Sequence, residues 1–233
     1  MSDQVIDGSG GTFTLNSGGT LMIGSASGIT STGASGNIQV SGTRTFDTAA
    51  KYTYNGSSAQ VTGNGLPASV NTLTINNSNG VTLTSGVNVT DYLTMTSGNI
   101  TLNDQSLILG TAASAANKGS LTWSYGTSGY MVGGGSFTRW ADTNEGGIFF
   151  PFGTATQRRS LQIYGTPTTG GTVSATYSDA SGATSLSFTD NSMSFDKRSN
   201  LSWIIGIANG FVASGLTMTI SPYSMPGVTN VSD

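Results

Sequence analysis

Residues 70–110 read VNTLTINNSNGVTLTSGVNVTDYLTMTSGNITLNDQSLILG. Six short apolar-x-apolar triplets lie in this stretch, at 73–75, 81–83, 87–89, 93–95, 100–102 and 107–109. Each has the two-residue period of a strand with one buried face. The linkers hold Asn, Ser, Gly, Thr and Asp, residues that tolerate tight bends. Every third triplet recurs at an even step: Leu73 returns at Leu93, Val81 at Ile100 and Val87 at Leu107. Three strands per turn of constant length describe a coil that stacks on itself, a right-handed parallel β-solenoid. The middle residue of each triplet points outward, so stacking sets Thr74 over Thr94 and Thr82 over Thr101, pairs that β-branched side chains favour.

Upstream the apolar residues again repeat by threes. Phe13 returns at Ile38, Leu21 at Phe46 and Ile29 at Tyr54. This step is constant but wider, which predicts longer-looped coils at that end. Pro67 falls at an expected corner, since it has no N–H for a ladder. Past Gly110 the segment 111–118, TAASAANK, is small and polar without alternation and reads as a transition. After residue 120 come all 3 Trp, 7 of the 9 Phe and 5 of the 8 Tyr. Strands are predicted at 136–140, 148–152, 160–164, 172–177, 186–188, 201–207 and 216–220. Their alternation, set off by Gly, Pro and Asp turns, points to an antiparallel β-sandwich-like module. The expected organisation is all-β: solenoid repeats over residues 1–115, then a sandwich-like module over 116–233 that caps the rod.

Composition narrows the function classes. Charged residues make up 8% of the chain and Gly 34 of 233, against roughly 25% and ~7% in typical domains. The 36% of hydrophobic residues is regularly spaced, which separates this chain from a disordered one. With 8 Lys plus Arg spread thinly and a net charge of −3, no surface is expected to neutralise a row of phosphates, so nucleic acid is not an expected partner. Histidine is absent, which removes the commonest general base and metal ligand. Cysteine is absent too, so there is no disulfide framework. No apolar run is long enough to predict a membrane span. The N-terminus MSDQVIDGSGG lacks the basic and apolar regions of a signal peptide. A secreted-looking composition without that signal, and a C-terminus that stops at PGVTNVSD, lead to the expectation of a piece of a longer chain whose second module is truncated.

The run SGGTLMIGSASGITSTGASGNIQVSGTRTFDTAAKYTYNGSSAQVTGNGLPASVNTLTINNSNGVTLTSGVNVT, at 17–90, resembles repeats in large adhesin-like surface proteins of gliding and related bacteria. The later GSFTR, FFPFGTATQRRSLQI, GTVSATYSD and LSWIIGIANG resemble the module that follows such repeats. The resemblance implies an extracellular, cell-surface setting and export by the type IX system. The sorting domain of such proteins is not in this chain. In the resembling module an Arg recurs beside the aromatic-Pro-aromatic-Gly run, which implies a structural role for Arg159.

Few constellations offer chemistry. Asp142 and Glu145, next to Arg139 and Trp140, have the residue types of a glycosidase carboxylate pair with a stacking ring. The plainer reading is a polar turn, with Trp140 in the core and Arg139 pairing locally. Arg158 and Arg159 offer either an acidic-glycan contact or charges that guard an edge strand. Arg44, Asp47 and Lys51 form the one local charged group on the solenoid half and do not recur along a face, which disfavours a lyase. Asp179, Asp190, Asn191 and Asp196 offer oxygen ligands to a structural Ca²⁺ without a recognised loop spacing; no other cofactor is expected. The pairs Thr72/Thr74 and Thr94/Thr96 share a side but Thr82/Thr84 does not, which breaks an ice-binding array.

The expectation is therefore a structural or adhesive segment, not an enzyme, whose partners are other segments of the same long chain, neighbouring surface proteins or glycans. Five coils at ~4.8 Å make a rod of roughly 25 Å. The alternative is a carbohydrate-binding module using Trp140, Trp123, Arg139 and Arg158. A third is a self-assembling surface fibre, because an uncovered solenoid end accepts another chain edge to edge.

Overall fold

The computed structural model describes residues 4–190 and 193–221. These are all-β, without helix. In chain order the strands are β1 (Phe13–Leu15), β2 (Thr20–Ile23), β3 (Arg44–Phe46), β4 (Lys51–Tyr54), β5 (Gln60–Val61), β6 (Ser69–Asn76), β7 (Val81–Thr82), β8 (Val87–Ser97) and β9 (Ile100–Thr101). They continue with β10 (Gln105–Leu109), β11 (Ser120–Thr122), β12 (Met131–Val132), β13 (Gly135–Ala141), β14 (Ile148–Phe150), β15 (Leu161–Thr169), β16 (Gly171–Asp190), β17 (Met193–Ala208) and β18 (Val212–Ile220).

Up to β13 the inter-strand pairing is parallel. One ladder runs β2, β4, β6, β8, β11. A second runs β5, β7, β9, β12 and is extended by a bridge from Met131 to Phe152. The N-terminal parts of β6 and β8 form a third with β10 and β13, and β1 with β3 makes a separate two-stranded ladder. One passage of the chain through these ladders makes a level.

The predicted registers of the central stretch are those observed: Leu73 pairs Leu93, Val81 pairs Ile100 and Val87 pairs Leu107. Thr74 accordingly lies on Thr94 and Thr82 on Thr101. The inward residues Leu73, Ile75, Leu83, Leu93, Leu102 and Leu107 are all 0% exposed. Burial of each contributes about 1.5–3 kcal/mol.

Two expectations are corrected. The N-terminal step is wider than predicted: Phe13 pairs Arg44 rather than Ile38, and Leu21 pairs Tyr52 rather than Phe46. The extra residues form an excursion whose Ile38 bridges back to Ile6. Arg44 fastens it, donating to the carbonyls of Val40, Thr30 and Gly33. Second, the sheets do not divide into purely parallel then purely antiparallel. One nine-stranded sheet is mixed, parallel from β2 to β13 and antiparallel from β13 through β16 to β17. Strands predicted separately at 172–177 and 186–188 are one strand, β16. A second antiparallel sheet, β14–β15–β18, lies beyond it. Rings from both sheets meet in a row, Phe137, Phe150, Phe152, Tyr177 and Trp203, with successive centroids 5.8, 6.1, 6.1 and 5.4 Å apart. One buried apolar cluster runs from Leu21 to Phe211.

At one corner, amide side chains join consecutive levels. Gln60 donates to the carbonyls of Ile23 and Ser25 below and accepts from Asn77 above. Asn77, 1% exposed, also donates to Ser58 O at 2.7 Å. Asn37 accepts from the backbone N–H groups of Gly24 and Ser25, and Asn99 from that of Tyr130. Corner backbone groups lie outside the ladders and need partners when buried; these amides supply them.

Candidate functional site

β13 decides where the residues of the Arg139–Trp140 cluster go. Its alternation turns Phe137, Arg139 and Ala141 inward and leaves Trp140 half-buried on the outer face, beside Thr172 of β16. The reading that put Trp140 in the core thus has the wrong parity; Arg139, 8% exposed, is the inward residue. Its guanidinium donates to Phe149 O at 3.3 Å, while its Nε is buried without a partner among the described residues. Burial lowers its pKa, partly offset by the charge of Glu145.

The two carboxylates of this cluster hold one ammonium. Lys118 Nζ lies 3.3 Å from Asp142 and 2.8 Å from Glu145, which ties the polar loop before β11 to the turn between β13 and β14. Asp142 also accepts from the backbone N–H of Asn144. Burial pulls the Lys118 pKa down, but the hydrogen bonds and charges of Glu145 and Asp142 outweigh it, and the net shift is upward. With Lys118 between them, the geometry is that of a latch joining a loop to a turn.

Trp123 and Arg158 come together through a residue that the sequence reading passed over, Tyr125. The Trp123 ring packs 4.9 Å from Phe149, 6.4 Å from Tyr130 and 6.5 Å from Tyr125, and its Nε1–H donates to Gly129 O. Arg158 sits 4.7 Å over the Tyr125 ring and donates to Ser221 Oγ. Tyr125 is 64% exposed. Trp140 makes none of these ring contacts. The four candidate residues therefore form one surface group, Trp123 with Arg158, and two separate positions. Arg159 is buried, at 2% exposure, so it guards no edge. Its backbone N–H donates to Phe152 O and its carbonyl accepts from Trp203 Nε1.

Of the calcium candidate, Asn191 lies outside the described residues, as do the side chains of Asp190 and Asp196; Asp179 is exposed. Among the described residues no three His, Cys, Asp or Glu side chains group as a metal site, and no helix is long and apolar enough to cross a membrane. Compared with family models, curated proteins and solved structures, the chain matches none.

Proposed function

We propose that this chain is a structural or adhesive segment of a large extracellular bacterial surface protein, a stalk whose parallel ladders are the walls of a right-handed β-solenoid capped by a sandwich-like module. The observation that carries this reading is the even step across β6, β8 and β10, with inward positions fully buried. Parallel strands joined by crossovers are right-handed almost without exception. A level cannot bury its apolar face alone, so strength and length come from stacking. The outward positions of the central levels are mostly Thr and Asn, which give a polar rod with little charge. The resemblance of 17–90 to repeats of type IX-exported adhesin-like proteins supports the same setting.

The test is to duplicate one level, a second copy of residues 87–106 inserted after residue 106. The expected protein folds and is longer by ~4.8 Å in small-angle scattering, the spacing of one strand. An unfolded product, or a folded one without added length, overturns the stalk.

A second reading is favoured by one observation. Tyr125, exposed and covered by Arg158 beside Trp123, is a platform on which a sugar ring stacks. Under it the chain is a carbohydrate-binding module. Self-assembly into a fibre is the third reading, supported by the open edge strands β17 and β18.

A further inference from the structure

The dipeptide Asn-Gly occurs four times in the sequence, at 55–56, 64–65, 79–80 and 209–210. It carries a latent reaction, because the glycine nitrogen can attack the asparagine side-chain Cγ and close a five-membered succinimide ring. Glycine permits the attack best, since no Cβ hinders the approach. In a folded chain two conditions decide whether the ring can close. The glycine N–H must be free to give up its proton, and the backbone must have room to bring the nitrogen onto Cγ.

Three of the four pairs fail on both counts. The N–H of Gly56 donates to Gln60 Oε1 at 2.8 Å, that of Gly65 to Ile29 O at 2.8 Å and that of Gly80 to Asn77 O at 2.9 Å. Backbone atoms of other levels also crowd them: Gly24 O beside Gly56, Ser31 N beside Gly65 and Asn99 O beside Gly80. Asn209 and Gly210 differ. They form the turn between β17 and β18, both exposed, with φ of 53° and 82°, the left-handed pair that a tight hairpin takes. Among the described residues no acceptor meets the Gly210 N–H, and nothing lies within 4 Å of where its Cβ would stand. The Asn209 side chain is held by a hydrogen bond from Nδ2 to Thr172 Oγ1 at 3.1 Å.

We propose that Asn209 is a site of spontaneous deamidation, the one Asn-Gly pair of the four that reacts while the protein is folded. Gly210 N bonds to Asn209 Cγ, the Cγ–Nδ2 bond breaks, and the nitrogen leaves as ammonia with the proton given up by Gly210. Water then opens either imide bond of the succinimide, which yields aspartate where the main chain is restored and isoaspartate where it runs through the side chain. Water is the only reagent consumed, and no atom is oxidised or reduced. The product makes the chain one unit more negative than its −3. The new carboxylate stands between β17 and β18, beside the exposed Ile207 and Val212, where a charge opposes edge-to-edge pairing of sheets. The proposal does not depend on the stalk reading.

The experiment incubates the whole chain in mildly alkaline buffer, once folded and once unfolded in urea. Peptide mapping by mass spectrometry then follows the four Asn-Gly peptides over time, and chromatography separates the aspartate from the isoaspartate form. In the folded chain Asn209 should react at least about tenfold faster than Asn55, Asn64 or Asn79, the factor expected when one hydrogen bond must first open. In urea the four rates should converge, and isoaspartate should appear at position 209 in both samples. The proposal is overturned if Asn209 persists in the folded chain while it reacts in urea, or if any of the other three keeps pace with it. It is equally overturned if the product at 209 is aspartate alone, because direct hydrolysis without the ring gives no isoaspartate.

Discussion

The tetrapeptide Leu-Thr-Met-Thr occurs twice, at 93–96 in β8 and at 216–219 in β18. In β8, Leu93 is 0% and Met95 1% exposed; in β18, Leu216 is 52% and Met218 58% exposed. Local sequence is identical, so the difference comes from what faces each strand. Leu93 pairs with Leu73 and with Leu121, and its side chain lies within the buried apolar cluster. Among the described residues β18 is the last strand of its sheet and pairs only with β15. Met218 and Ile220 lie opposite Ile163 and Leu161, both buried, yet remain open to solvent. β17, the edge of the other sheet, is alike: Ile207 is 62% exposed although it pairs with buried Val173. Alternation marks which side chains share a face; a second layer decides whether that face is buried.

The largest test of this contrast is at turn glycines. Gly98, after β8, has φ 79°, and a Cβ there would sit on the Asn77 carbonyl oxygen. Gly98→Ala should cost about 4 kcal/mol or more in urea unfolding. Gly210, between β17 and β18, has φ 82° with open space around it, so Gly210→Ala should cost only about 1–2 kcal/mol, the left-handed backbone term. Next come the paired leucines. Leu93→Ala should lose about 3–4 kcal/mol by transfer and cavity, and Leu216→Ala no more than about 0.5 kcal/mol. Equal losses would break the comparison.

A smaller effect belongs to the latch. Lys118→Met leaves Asp142 and Glu145, both largely buried, without their ammonium, and should cost about 1–2 kcal/mol, since Lys118 itself is partly solvated. Limited proteolysis should then cut first in the loop before β11. The smallest effect is alkaline. Tyr54 is buried and donates to Thr62 O at 2.7 Å; burial, then Tyr52, raises its pKa. A folded-state pKa above the unfolded value of about 10 adds stability that is complete below pH ~10 and is lost as pH climbs beyond it. Tyr54→Phe should cost about 1 kcal/mol at neutral pH and flatten the fall in stability from pH ~10 upward.

The central levels were legible because nothing interrupts their even step. Outside them the step stretches. Ile38 mimics a rung residue in sequence but belongs to the excursion pinned by Arg44, and this set Leu21 against Phe46 instead of its true partner Tyr52. Loops around 111–119 and 124–130 lengthen the fifth level, so Leu93 waits until Leu121 for its next partner and Ile100 until Met131. A period search tuned to the central step misses both. Within β13, Arg139 and Trp140 are adjacent, and residue type argued for the wrong parity; Phe137 two positions earlier carried the right one. The corner amides had a signal that was passed over, an Asn or Gln beside a rung at 37, 60, 77 and 99.

Those amides have a mechanical meaning. Gln60 reaches the level beneath it and is gripped by the level above; Asn77 reaches back to Ser58, and Asn99 is met by Tyr130 of the next level. Each level is thus bolted to its neighbours by side chains as well as by ladders. In the solenoid proposed for this chain, coupling of this kind makes an interior boundary between folded and unfolded levels costly. Disorder should then enter from the ends and travel like a zipper, and a single interior level should not open alone.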